Sequence, residues 1–180
     1  MLYAFGFEKV AVVVGDLYFV DPHPGPGQEG PERGVRLEAR MLVREELRGS
    51  VYSATPILVE RPIWRADLLE SVAGEPGSHD RTHHHPRFVG WEPGRRQYEP
   101  AMSEDPLGYV AAQLADLPAV LERARIDADA VPAEDIEGVR AAVPEIIDVT
   151  KRLLARVRAG ELARPPAGDG TAAGARVGWL

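Results

Sequence analysis

The chain has 180 residues, 44% hydrophobic and 27% charged, which suits a single globular domain with a sizeable core. It contains no cysteine, which excludes disulfides, thiolate metal sites and thiol catalysis. Its formal charge of -7 disfavours non-specific binding to nucleic acid, because such binding depends on neutralising phosphates. We find no apolar run of membrane-spanning length and no signal peptide, so we expect a cytoplasmic protein with neither nucleic-acid nor membrane partners.

The first part of the chain has the pattern of strands. Residues 10–14 and 17–20 are apolar runs separated by Gly15-Asp16, a pair that predicts a type II′ hairpin. Residues 21–33 are rich in proline and glycine and predict a loop. Residues 35–43 alternate between apolar and mostly charged side chains, which predicts a strand with one solvent-exposed face in an antiparallel sheet.

Further strands are predicted before residue 100. Residues 51–60 and 63–69 suggest two strands, and Pro62 marks an edge, a bulge or a break because proline cannot donate to a sheet. Two short runs, 87–91 and 96–99, are predicted to close the sheet around the turn Glu92-Pro93-Gly94.

Helical spacing begins after residue 105. Apolar residues recur three and four positions apart up to Leu121, with an interruption or kink expected at Pro118. A second apolar seam begins after Pro132 and keeps its phase across Pro144, which predicts one kinked helix that ends before Gly160. The two helices are predicted to form a hairpin.

These elements predict an α+β fold, with an N-terminal curved antiparallel sheet of about five or six strands followed by a C-terminal amphipathic helical hairpin. We expect one domain over residues 1–162, with a β-rich part at 1–100 and the hairpin at 105–160, and a Gly/Ala/Pro-rich tail at 163–180. The apolar seams suit an intramolecular core, and a homodimer through the helices is the alternative.

Four of the five histidines lie in a segment that is predicted to be a loop, residues 78–86. If this segment is extended, His83 and His85 point to one side and His84 to the other. If it forms a helical turn, His79 and His83 share a face instead. Either geometry brings two imidazoles together.

Imidazole nitrogen is a common ligand of transition metals, so the cluster predicts a metal site. We expect ligands from His79, His83 and His85, with Asp80 or a carboxylate from a neighbouring strand added. Zinc is the first choice, and Fe(II), nickel or manganese would also suit these ligands. No motif indicates a nucleotide cofactor.

If the site is catalytic, metal-assisted hydrolysis is the simplest chemistry, with Glu92 or Glu99 taking a proton from water. A pocket beside the site is predicted to include residues that adjoin the cluster or lie on a neighbouring strand: His84, Arg81, Arg87, Arg65, Asp67, Trp64 and Trp91.

The alternative function is a non-catalytic binding or assembly module. In that case the histidine-arginine segment contacts a protein partner or a small anionic ligand, and the imidazoles are polar surface groups or titrate as a switch. The sequence alone identifies no substrate.

Overall fold

The computed structural model of the protein describes residues 1–166 and 176–177. Strands precede helices along the chain. The strands are β1 (Leu2–Gly6), β2 (Val10–Val20), β3 (Pro31–Arg44), β4 (Ile57–Ser71), β5 (His83–His85), β6 (Phe88–Val89), β7 (Glu92–Pro93) and β8 (Arg176–Val177). The helices are α1 (Pro100–Glu104), α2 (Pro106–Ala115), α3 (Leu117–Ala124) and α4 (Ala133–Arg158), with a 3-10 turn at Ala128–Ala130.

The main sheet is antiparallel and has the order β1-β2-β3-β4-β5, so strands that are neighbours in the chain are also neighbours in the sheet. β8 pairs with β2 beyond the end of β1, and the described strands do not close into a barrel. The predicted α+β fold, an antiparallel sheet followed by a helical region, is confirmed.

The predicted hairpin at Gly15-Asp16 is wrong, because β2 continues through both residues. The strand pairs with β3 from Val10 opposite Met41 to Val20 opposite Pro31, and this long ladder outweighs the local turn preference. The chain reverses instead in the predicted proline- and glycine-rich loop.

Residues 57–60 of the first predicted strand and all of the second, 63–69, belong to one strand, β4, while residues 51–56 lie outside it. The register with β3 shifts where Arg40 lies opposite Pro62 while Ala39 lies opposite Trp64, so Ile63 is an extra residue. Pro62 therefore marks a bulge, one of the three outcomes expected of it.

The predicted turn at residues 92–94 is also wrong. β6 and β7 form a separate two-stranded hairpin whose turn is Gly90-Trp91, and Gly90 has a φ of 60°. Glycine adopts this left-handed backbone conformation readily, which explains the position of the turn. In the run predicted at 96–99, Gln97 makes only an isolated bridge to His84.

The helices cover one face of the sheet. The helix predicted up to Leu121 is interrupted at Asp116, between α2 and α3. The carboxylate of Asp116 accepts a hydrogen bond from the backbone N–H of Ala119, and Pro118 lies in the first turn of α3. α4 continues through Pro144 as one helix, as predicted. Within the described residues, no helix combines the length and the apolar character that a membrane crossing requires.

The hydrophobic core lies between the sheet and α2, α3 and α4, so the apolar seams of the helices are buried within the chain. Its largest buried side chains include Leu37, Trp64, Leu68, Leu114, Leu117, Ile146 and Leu153. Most of the tail predicted at 163–180 lies outside the described residues.

Candidate metal centre

The segment predicted to be a loop at 78–86 contains the short strand β5, which pairs with β4. His83 lies opposite Asp67 and His85 lies opposite Arg65. The extended alternative is therefore the one that the fold adopts, and His83 and His85 share the sheet face that carries Asp67. This face is opposite to the helical layer.

Asp67 is held from the other side by β3. Arg36 lies opposite it in the register, and its guanidinium donates from Nε to Oδ1 at 2.6 Å and from Nη2 to Oδ2 at 3.1 Å. Burial alone would raise the pKa of Asp67, but the guanidinium of Arg36 holds this pKa well below its usual value. Asp67 is therefore a carboxylate with a fixed orientation.

Backbone carbonyls fix the two imidazoles. Nδ1 of His83 is 2.8 Å from the carbonyl oxygen of Arg81, and Nδ1 of His85 is 2.7 Å from that of Gly94. Because a carbonyl oxygen only accepts, each Nδ1 carries a hydrogen. In the neutral imidazole, Nε2 then has a free lone pair, the arrangement typical of histidines that bind metals through Nε2.

Both Nε2 atoms face the same oxygen of Asp67. The distances to Oδ2 are 3.4 Å from His83 and 3.6 Å from His85. Each of the three residues offers one ligand atom, and these atoms all lie within 4.8 Å of one another at a buried position. The group is therefore close enough to hold a metal ion.

A cleft of about 380 Å³ opens beside this group. Three arginines line it, and Glu92 from the β6–β7 hairpin is its second carboxylate, in addition to Asp67. The cleft is lined by Phe19, Arg36, Arg65, Asp67, Leu69, His83, His85, Trp91, Glu92, Pro93 and Arg96.

Two of the predicted ligands have other contacts. His79 has a φ of 52° and its ring lies beside Glu70 and Arg158. Asp80 accepts hydrogen bonds from the backbone of Ser71 and the hydroxyl of Ser78. Neither belongs to the group of three formed by Asp67, His83 and His85.

His84 points to the helical side of the sheet. Trp64 donates from Nε1 to its Nδ1 at 3.1 Å, and its Nε2 is 3.3 Å from the Tyr109 hydroxyl and 3.9 Å from Glu99. Burial, with a contribution from the charge of Arg123, lowers the pKa of His84 to about 4. The predicted pocket residues Trp64 and His84, and the predicted base Glu99, thus lie away from the cleft.

The remaining predicted residues divide between the cleft and its surroundings. Arg65, Asp67, Trp91 and Glu92 line the cleft. Arg87 is exposed and lines other depressions, and Arg81 donates to the backbone carbonyl of Gly27.

Arg36 and Glu38 were not among the residues predicted to form the site. The alternation over residues 35–43 places both on one face of the strand, but that face was expected to be exposed, and this expectation is wrong: Arg36 is 5% exposed and Glu38 is fully buried. The available signal in the sequence was a pair of oppositely charged residues two positions apart, on one face of the strand.

Comparisons with protein-family models, with curated proteins and with solved structures found no match to the chain. The geometry of the site is therefore the basis on which a function can be assigned.

Proposed function

We propose that the protein binds one divalent transition metal, zinc in the first instance, through Nε2 of His83, Nε2 of His85 and Oδ2 of Asp67. The observation that carries the proposal is the pair of Nε2–Oδ2 distances, 3.4 and 3.6 Å. Two ligands at zinc-bond lengths from one tetrahedral ion lie about 3.4 Å apart, whereas charge-assisted hydrogen bonds are about 2.7–2.9 Å long. The spacing suits a shared metal better than direct hydrogen bonds.

The salt bridge between Arg36 and Asp67 is compatible with metal binding by Asp67. Arg36 donates one hydrogen bond to each carboxylate oxygen, and a carboxylate oxygen has two lone pairs. Oδ2 therefore keeps a lone pair toward the imidazoles while Arg36 fixes the plane of the carboxylate. Such outer partners hold metal-binding groups in place and support affinity.

Three protein ligands leave a coordination position open, which is typical of catalytic metal sites. A bound metal lowers the pKa of water, and hydrolysis is the reaction class that such a site supports. Glu92 lines the cleft and is the carboxylate available to take the proton from that water. Glu99, on the helical side of the sheet, is the weaker candidate.

Metal analysis tests the proposal. Protein freed of metal and then reconstituted with zinc, followed by removal of unbound ion, is expected to retain about one equivalent. Mass spectrometry of the metals that copurify would identify the native ion, because two histidines and one carboxylate also suit Fe(II). Less than about a tenth of an equivalent of every transition metal after reconstitution would contradict the proposal.

Single substitutions test the ligand set. Asp67→Asn, His83→Ala and His85→Ala are each expected to weaken zinc binding at least about tenfold, because each removes one of three ligands. His79→Ala and Asp80→Asn are the matched controls, since both residues lie in or beside the same histidine-rich segment. Full zinc binding by the first three variants, or loss of binding in the controls, would show that the ligands are assigned incorrectly.

A further inference from the structure

We propose that the cleft beside the metal binds the phosphoryl group of a phosphate monoester, with the guanidinium groups of Arg36 and Arg65 contacting its oxygens. This inference rests on the proposed function, because the phosphoryl group would also complete the coordination of the metal. It names the class of substrate for that site.

Arg36 supplies a donor that its own salt bridge does not use. Nε and Nη2 are bonded to Asp67, whereas Nη1 is buried and has no hydrogen-bond partner among the described residues. A buried, unpaired N–H of a guanidinium is costly, and the Arg36 side chain is only 6% exposed. An oxyanion in the cleft would satisfy this donor.

Arg65 lies two residues before Asp67 in β4, on the same face of the sheet. It pairs in the register with both Glu38 and His85, and its Nε donates to Glu38 at 2.6 Å. Within the described part of the chain, that bond leaves both Nη groups of Arg65 free. Arg36 and Arg65 both line the cleft. Two neighbouring guanidiniums of this kind favour an anion between them.

The charge of the site favours a dianion. Arg36 is balanced by Asp67, and Arg65 is balanced by Glu38, which also accepts from Arg40. Of the other charged groups, Arg96 is paired with Asp21, and Glu92 in the cleft offsets the charge of Arg40. With neutral imidazoles, the two charges of a divalent metal would therefore remain uncompensated. A phosphate monoester carries close to two negative charges near neutral pH, whereas a carboxylate carries one.

The cleft is also larger than a phosphate group, with a volume of about 380 Å³. Apolar side chains, Phe19, Leu69, Trp91 and Pro93, form part of its wall. This space would accommodate the alcohol portion of the ester.

Calorimetric titration with inorganic phosphate tests the inference on zinc-loaded protein from which free zinc has been removed. At a pH where phosphate is a dianion, phosphate is expected to bind at least about tenfold more tightly than acetate at equal ionic strength. Arg65→Gln is expected to weaken phosphate binding by at least about tenfold and to leave zinc stoichiometry unchanged. Arg87→Gln is the matched control, because Arg87 is exposed and outside the cleft, and it should bind phosphate as the wild type does.

The outcomes separate this inference from the proposed function. Full zinc binding with equal affinity for phosphate and acetate, or an unchanged phosphate affinity in Arg65→Gln, would overturn the inference alone. Arg65→Lys keeps a positive charge beside Glu38 but lacks the paired Nη groups, so it provides the same test if Arg65→Gln does not fold. Failure of the wild type to bind zinc would overturn the proposed function and, with it, the contact between metal and phosphate.

Discussion

His83, His84 and His85 are consecutive in the chain, yet the fold gives them different environments. Alternate residues of a strand point to opposite faces, so the middle histidine enters the core while its neighbours face Asp67. Their partners also differ in kind. Carbonyl oxygens hold Nδ1 of His83 and His85, whereas an indole N–H donates to Nδ1 of His84. In the neutral imidazoles, the lone pair that is free to bind a metal is therefore on Nε2 only in the two outer histidines.

Glu32 is a buried carboxyl group on β3, and neither of its oxygens has a hydrogen-bond partner among the described residues. Burial raises its pKa to about 7. Arg96 and Arg81, which approach Oε1 to 3.9 Å, oppose this change, and Asp67 and Asp21 reinforce it. A folded-state pKa above the unfolded value favours the folded state at low pH, and this contribution is lost as the pH rises through about 4.5 to 7.

We therefore expect the free energy of unfolding of the metal-free wild type to fall by up to about 3 kcal/mol more than that of Glu32→Gln when the pH is raised through this window. The glutamine variant keeps the size of the side chain but cannot ionise. Urea unfolding of both proteins across the pH range measures the difference. Parallel pH profiles would show that the carboxyl group titrates normally.

At the scale of elements, the sequence pattern predicts which residues share a face of β3 or β4, but it does not predict how the strands pair. Because side chains alternate along a strand, Arg65 and Asp67 lie on one side of β4. This alternation could not show that β5 would align His83 with Asp67, because register depends on contacts between segments distant in the chain. For this reason the histidine cluster was predicted from sequence, whereas its carboxylate partner was expected to be Asp80 or any of several strand residues.

The β1–β2 connection shows a second long-range effect. Asp135, in the first turn of α4, is 3% exposed, and its carboxylate accepts the backbone N–H groups of Glu8, Lys9 and Val10. An acidic residue in the first turn of a helix is favoured by the positive end of the helix dipole. The structure adds that this carboxylate ties the helix to a turn at the other end of the chain.

Asp135→Asn is expected to lower the free energy of unfolding by about 2–3 kcal/mol, because an uncharged amide replaces a carboxylate that accepts three buried or partly buried hydrogen bonds. Glu134→Gln, an exposed neighbour in the same helical turn, is the control and should change stability by less than about 0.5 kcal/mol. Chemical denaturation measures both. Equal effects would mean that the helix dipole, rather than the contacts with the turn, accounts for the role of Asp135.

At the scale of the whole molecule, the sheet buries side chains on both faces but with different chemistry. The helical face is apolar, whereas the opposite face carries the buried charges of Arg36, Glu38 and Asp67. The β6–β7 hairpin lies over part of this second face. The ring centroid of Phe88 is 5.0 Å from Cζ of Arg65, and that of Trp91 is 5.3 Å from Cζ of Arg40. The hairpin therefore helps to enclose the site that β3, β4 and β5 build.

A metal that bridges β4 and β5 should stabilise the fold as a whole. A ligand that binds only the folded state, at a free concentration of about 100 times its Kd, adds about 2.7 kcal/mol. For a chain of this size, that corresponds to a rise in Tm of about 5–10 °C. We expect this rise when zinc is added to metal-free wild type and to His79→Ala, as measured by differential scanning calorimetry. The double variant His83→Ala/His85→Ala should show almost none, because only Asp67 remains of the three ligands. Comparing each protein with and without zinc removes the effect of the substitutions themselves on stability. An equal rise in the double variant would place the stabilising zinc elsewhere on the molecule.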